Sequence, residues 1–132
     1  MIVVITGATS GIGEATADYL ISKGHTVYSL ARRIGNHSRI HYISCDVTNS
    51  TDIQKAFSEI LAKEKSIDAL INNAGMGISG ALEFSEESDI RKIVDVNFIG
   101  LVQTTQMAIP YIRASQGKII NIGSVAGELA IP

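Results

Sequence analysis

Three glycines, at positions 7, 11 and 13, stand directly behind the short apolar run Ile2-Val3-Val4-Ile5 and directly ahead of a helical stretch. Glycines at this spacing let the backbone turn tightly, with positive φ where needed, and bring it close to a ligand. The helix that follows offers N–H groups with no partner of their own and the positive end of its dipole. An anion of the size of a diphosphate is the chemistry such an arrangement serves. A purely structural turn is the alternative that the glycines alone leave open.

The other chemistry-bearing residue types point elsewhere. Cys45 is the only cysteine, which excludes an internal disulfide and agrees with a reducing compartment; no Cys/His cluster has metal-ligand spacing, so no metal is expected. His25, His37 and His41 have no carboxylate or Cys at catalytic spacing and read as structural or solvated. Met76 and Met107 read as packing residues.

Elements must position that turn, and the apolar pattern supplies them. Runs of β-branched and apolar residues recur at Ile2–Ile5, Thr26–Ala31, His41–Ser44, Ile67–Asn72 and Ile119–Ile122, each too short for a helix. They read as strands buried on both faces, hence parallel. A first helix is expected over Gly13–Lys23, with Ala15, Tyr19 and Leu20 toward the sheet and Gly24 closing it. Ile53, Ala56, Phe57, Ile60 and Leu61 follow the i, i+3, i+4, i+7, i+8 rule of an amphipathic helix. A longer helical region begins after Ser85, carries Glu86, Glu87 and Asp89 near its positive end and runs to about Ser115. Pro110 is expected to kink it. Its apolar residues from Phe98 to Ile112 spread over more than one face, which implies contact with the sheet and with a further helix or subunit.

Alternating strands and helices of these lengths specify an α/β fold, a doubly wound parallel sheet of Rossmann-like type with right-handed crossovers and ligand binding at the carboxyl ends of the strands. With 132 residues, 45% hydrophobic and a net charge of −2, one domain over residues 1–132 is expected. No stretch approaches the length of a membrane span, and the first apolar run lacks the basic flank of a signal peptide, so a cytoplasmic address is expected. The near-neutral charge and the lack of a long basic run leave no footprint for nucleic acid.

Thr6-Gly7-Ala8-Thr9-Ser10-Gly11-Ile12-Gly13 has TGxxxGxG spacing and resembles the short-chain dehydrogenase/reductase family rather than the GxGxxG dehydrogenases. Four further motifs stand in that family's order: Asp46-Val47 after the third strand, Asn72-Asn73-Ala74-Gly75 after the fourth, Asn97 in the long helix, and Gly123-Ser124 after the fifth. Together they cover nearly the whole chain.

The resemblance implies a dinucleotide cofactor, held by Gly7, Thr9, Ser10, Gly11, Ile12, Gly13, Arg32, Arg33, Asp46, Val47, Asn73, Ala74 and Gly75. Asp46 would accept from the adenine amino group with Val47 near the ring; capping a turn is its plain alternative. Asn72 would tie the central strand to its neighbours, and Ala74 and Gly75 would keep the wall small beside the nicotinamide ribose. Leu30-Ala31-Arg32-Arg33 closes the second strand without an acid for a ribose 2′-OH. A basic side chain there accommodates a 2′-phosphate, so Arg32, with Arg33 second, favours NADP over NAD; a solvated basic pair is the alternative.

The family moves a hydride between nicotinamide and a carbonyl or alcohol carbon. A Tyr handles the hydroxyl proton, a Lys lowers its pKa, a Ser polarises the carbonyl and an Asn supports a proton relay. Ser124 and Asn97 match two of those four. The Tyr and Lys are expected as a YxxxK pair roughly a dozen residues beyond Ser124, on the next helix and past Pro132, where a spacing of one turn puts both on one face. Tyr111 precedes the fifth strand and has Ser115, not Lys, four residues on; Tyr19, Tyr28 and Tyr42 are also out of place. The expectation is therefore the NADP-binding portion of a reductase, cut off after the fifth strand and inactive alone, with a non-catalytic nucleotide-binding or interaction module as the other reading. The family order 3-2-1-4-5-6-7 would leave Ile119–Ile122 as an apolar edge, and self-association is expected through that edge or through the Phe98–Ile112 helix.

Overall fold

The computed structural model describes residues 1–129; the expectations concerning Pro132 lie outside those residues. Five strands form one parallel sheet: β1 (Ile2–Thr6), β2 (Thr26–Ala31), β3 (His41–Ser44), β4 (Ala69–Asn72) and β5 (Lys118–Asn121), in the order β3-β2-β1-β4-β5. Helices α1 (Gly11–Ser22), α2 (Ser50–Lys63), α3 (Glu87–Val94) and α4 (Leu101–Ser115) join them, and a π-helical segment, Asp95–Gly100, links α3 to α4. The doubly wound, Rossmann-like reading holds. Among the described residues no helix is long and apolar enough to cross a membrane.

Alternate side chains of the strands feed two core layers, as a period of two requires. Val4, Tyr28, Leu30, Ile43 and Leu70 pack with Ile53, Phe57 and Ile60 of α2 and with Ala108 and Ile112 of α4. Val3, Ile5, Val27, Ala69 and Ile71 pack with Ala17 of α1 on the other face. The amphipathic reading of α2 is correct, and Asn49 caps it by accepting from the N–H groups of Thr51 (3.0 Å) and Asp52 (3.2 Å). At the amino edge of the sheet, Asp68 accepts from Ile2 N–H at 2.6 Å while its carbonyl accepts from Lys118 N–H at 3.0 Å.

Four expectations need correction. Helix α1 starts at Gly11 and buries Gly13 and Ala17, with Leu20 and Ile21 against the core, while Ala15 and Tyr19 are exposed. The earlier start anchors the buried face on the small residues that let the helix approach the strands, and that rotates Tyr19 outward. The strand edges shift: β4 begins at Ala69 rather than Ile67, and β5 covers Lys118–Asn121 rather than Ile119–Ile122. All of β5 is exposed rather than buried on both faces, because it is the sheet's edge and helices cover little of it among the described residues. Finally, the departure from α geometry falls at Asp95–Gly100, whereas α4 continues through Pro110 to Ser115.

The crossover from β2 to β3, residues 32–40, contains no helix. Parallel strands are usually joined by a longer connection with a helix on it. Here Ile40 is buried in the core, and Gly35 lies against the Tyr42 ring, where a Cβ would meet the hydroxyl.

Candidate functional site

A parallel sheet brings the carboxyl ends of all its strands to one edge, and the five motifs come together there. At the end of β1 the chain enters the glycine turn with Gly7 at φ +74° and Gly11 at φ +58°, conformations that side chains with a Cβ rarely adopt. Gly7 donates its N–H to the Leu30 carbonyl at 2.9 Å, tying the turn to the end of β2.

The turn is held from β4. Asn73 Nδ2 donates to the carbonyls of Thr6 (3.1 Å) and Gly7 (3.0 Å), and Thr6 Oγ1 accepts from the N–H groups of Asn73 (3.0 Å) and Ala74 (2.9 Å). A Cβ on Gly7 would stand 3.0 Å from the Ala74 Cα, and one on Gly13 would meet Asn73 Nδ2 and the Gly7 carbonyl. These contacts give Asn73 the work of positioning the turn. The hydroxyl of Thr6 is a functional group that the motif reading passed over, although the Thr of TGxxxGxG was its visible signal.

The start of α1 is open. Ser10 occupies the N-cap but its hydroxyl accepts no bond from the helix, Ile12 is exposed, and nothing lies within 4 Å of a Cβ on Gly11. Uncapped N–H groups at a positive helix end, beside a backbone free of side chains, suit a diphosphate bridging Thr9, Ser10 and Gly11–Gly13. Arg32 and Arg33 are exposed just past β2 and make no ion pair among the described residues.

Asp46 and Val47 follow β3. One carboxylate oxygen of Asp46, Oδ1, accepts from Thr48 N–H (2.9 Å) and Thr48 Oγ1 (2.8 Å), so the residue does form a turn; Oδ2 has no protein donor among the described residues. The Val47 side chain is buried against the end of the π segment, where a Cβ on Gly100 would stand 2.8 Å from its Cγ2. Gly100 thereby sets the depth of the Asp46-Val47 turn, a contribution no pattern in the sequence marked.

Asn72 does tie β4 to its neighbours, with Nδ2 donating to Asn121 Oδ1 and Thr105 Oγ1, both at 2.8 Å; its Oδ1 is buried without a partner among the described residues. Asn97 lies in the π segment, a geometry found often at functional sites. Its side chain makes two bonds: Nδ2 donates to the Met76 carbonyl (2.7 Å) and Oδ1 accepts from Met76 N–H (2.8 Å). It therefore holds the loop after Gly75 onto the long helix. Ser124 lies just past β5, exposed, and its Oγ accepts from Ala126 N–H at 3.1 Å as the cap of a short 3-10 turn. That leaves its own hydroxyl proton free to donate.

The tyrosines give no proton donor at this edge. Tyr111 stacks on Phe57 with ring centroids 6.4 Å apart. Tyr19 and Lys23 do stand four apart, with Lys23 Nζ 5.3 Å from the ring centroid, but at the far end of α1 from the glycine turn and on its exposed face.

Comparison with known proteins agrees with this geometry. The chain is 43% identical over 133 residues to a 3-ketodihydrosphingosine reductase of Bacteroides thetaiotaomicron, covering 99% of this chain and 49% of that protein. It is 36% identical over 142 residues to an NADP-dependent 3-hydroxy acid dehydrogenase of Salmonella typhi, covering 97% and 56%. The ligand-free aldohexose dehydrogenase of Thermoplasma acidophilum superposes with a TM-score of 0.93 at 34% identity, over 99% of this chain and 51% of that one. A short-chain dehydrogenase of Leptospira borgpetersenii with bound NAD+ gives 0.91 at 26% identity, over 99% and 54%. The chain thus spans about half the length of the curated relatives it matches. Residues 1–132 match the family described as short chain dehydrogenase from end to end, and the chain belongs to that family.

Proposed function

We propose that this chain is the NADP(H)-binding portion of a short-chain oxidoreductase that transfers a hydride between NADP(H) and a small carbonyl or alcohol substrate. The observation that carries the reading is the open start of α1 behind a turn latched by Asn73, with Arg32, which makes no ion pair among the described residues, at the adjacent end of β2. The helix N–H groups of Gly11–Gly13 would hold the diphosphate, and Asp46 would accept from the adenine amino group. Val47 backs the adenine pocket, and Ala74 and Gly75 leave room for the nicotinamide ribose. Arg32 and Arg33 supply the charge for a 2′-phosphate, in keeping with the NADP-dependent relative; the relative solved with NAD+ makes the 2′-phosphate the point to test. Bound nicotinamide supplies the site that gives or takes the hydride.

On this reading Ser124 donates its hydroxyl proton toward a substrate oxygen, and Asn97 holds the loop that closes the pocket. Turnover then needs a proton donor that this chain's own tyrosines do not bring to the site, so the chain alone binds cofactor without reducing carbonyls. A cytoplasmic address and self-association along β5, where Ile119 and Ile120 are exposed, belong to the same reading. Titration with NADPH and NADH, followed by turnover on a panel of carbonyl compounds, tests it. Tighter NADPH binding without turnover is expected, and robust turnover by the chain alone overturns the claim of inactivity. A monomer at high concentration by light scattering overturns self-association.

A second reading, a non-catalytic nucleotide-binding module, is favoured by the Asn97 amide, whose two bonds serve the Met76 loop rather than a ligand. Supplying a longer form of the protein that carries a YxxxK pair separates the two: activity gained there supports the oxidoreductase.

A further inference from the structure

The crossover that carries Arg32 and Arg33 has no helix to hold it, yet both of its ends are fastened. At its origin, Leu30 and Ala31 accept from the N–H groups of Gly7 (2.9 Å) and Cys45 (3.0 Å). Toward its far end, two side chains meet on Asp18 of α1. Asp18 Oδ1 accepts from His37 Nε2 at 3.0 Å and from an Arg39 guanidinium nitrogen at 3.4 Å, and His37 Nδ1 accepts from Arg39 N–H at 3.3 Å. A ring that donates through Nε2 can accept through Nδ1, so one tautomer serves both contacts. Asp18 sits on the same helix whose start is left open by the uncapped N-cap residue Ser10.

We propose that Asp18 is a positioning residue for recognition of the cofactor's 2′-phosphate: through His37 and Arg39 it fastens the 32–40 crossover to α1 and so holds Arg32 and Arg33 beside the phosphate cradle. The inference rests on the NADP reading above. An arginine on a loose loop loses more conformational entropy on binding than one whose backbone is held between two anchors.

The charge of Asp18 makes the test sharp. Simple electrostatics predicts that removing a carboxylate from this face of the protein does not weaken binding of an anion; positioning predicts that it does. The probes are adenosine 2′,5′-bisphosphate and adenosine 5′-monophosphate, which differ only in the 2′-phosphate, titrated by calorimetry against the protein. Asp18→Asn is expected to reduce the preference for the bisphosphate about three- to tenfold while leaving the monophosphate affinity nearly unchanged. Asp18→Glu, which keeps the acceptor on an exposed helix face, is expected to retain most of the preference. A His37→Ala/Arg39→Ala double variant keeps Asp18 and loosens the same segment, so it should show the same loss, and it carries the test if Asp18→Asn folds poorly. An unchanged or increased preference in Asp18→Asn, or a retained preference in the double variant, overturns the inference and leaves the NADP reading standing. No preference in the unaltered protein overturns the NADP reading and the inference with it.

Discussion

The side-chain amide of Asn73 reaches across the sheet to the backbone of Gly7, donating at 3.0 Å to its carbonyl while a second contact, at 3.1 Å, holds that of Thr6. An amide from the end of β4 therefore sets the shape of a turn at the end of β1, and the turn cannot change without breaking bonds of β4's own loop.

Asn73→Ala removes both donors from partly buried carbonyls and should cost about 1–3 kcal/mol of stability. It should also weaken binding of NADPH and NADH alike, since the diphosphate cradle is common to both. Urea denaturation beside fluorescence titration checks this; a loss of stability with unchanged affinity for both cofactors would show that the latch does not shape the cradle.

Gly13→Ala places a methyl group against Asn73 Nδ2 and the Gly7 carbonyl, neither of which can retreat without breaking the latch. Overpacking of this kind costs about 1–3 kcal/mol. The expected result is a lower thermal midpoint together with loss of cofactor binding. Gly11→Ala meets no atoms but pays for a positive φ, so it should be milder in stability than Gly13→Ala.

Arg32→Ala should weaken NADPH binding by about 1.5–3 kcal/mol, the range for a lost charge-assisted bond, and spare NADH. Equal losses for both cofactors in a fluorescence titration would remove Arg32 from the 2′-phosphate site.

Alkaline pH should unfold this protein early. Burial, reinforced by the carboxylates of Asp52 and Asp46, pushes the Cys45 thiol from an ordinary 9.0 up to about 12. Tyr28, buried and donating to Glu64 at 2.8 Å, is raised from 10.0 to about 12. Above the unfolded value the unfolded chain gives up these protons while the folded one keeps them. Stability is therefore fully present below pH 9, falls between about 9 and 12, and falls faster once Tyr28 contributes above 10. By pH 10 the Cys45 share is about 1 kcal/mol. Urea midpoints at pH 8, 9 and 10 measure the decline, and Cys45→Ala should flatten it below pH 10. An equal slope in that variant would place the titrating group elsewhere.

Much of this architecture could be read along the chain. Five apolar runs became five parallel strands, the spacing from Ile53 to Leu61 defined the buried face of α2, and TGxxxGxG with its four companion motifs named the family before any contact was known. Those features are local: strand pattern, helical period and glycine spacing are properties of neighbouring residues, and short segments carry them whole. What the tertiary structure alone decided depends on partners far apart in sequence. The face of α1 turned on which small residues could approach the strands, so Gly13 and Ala17 went inward and Tyr19 outward. The roles of Asn73, Thr6 and Gly100 appeared only when β1, β4 and the π segment were side by side. The bonds from Asn97 to Met76, and the clasp from Asp18 to His37 and Arg39, likewise follow from where the backbone places polar groups that must find partners. A hydrogen bond needs its two ends within about 3 Å, and along a parallel sheet that distance is reached only by chain segments that folding brings together.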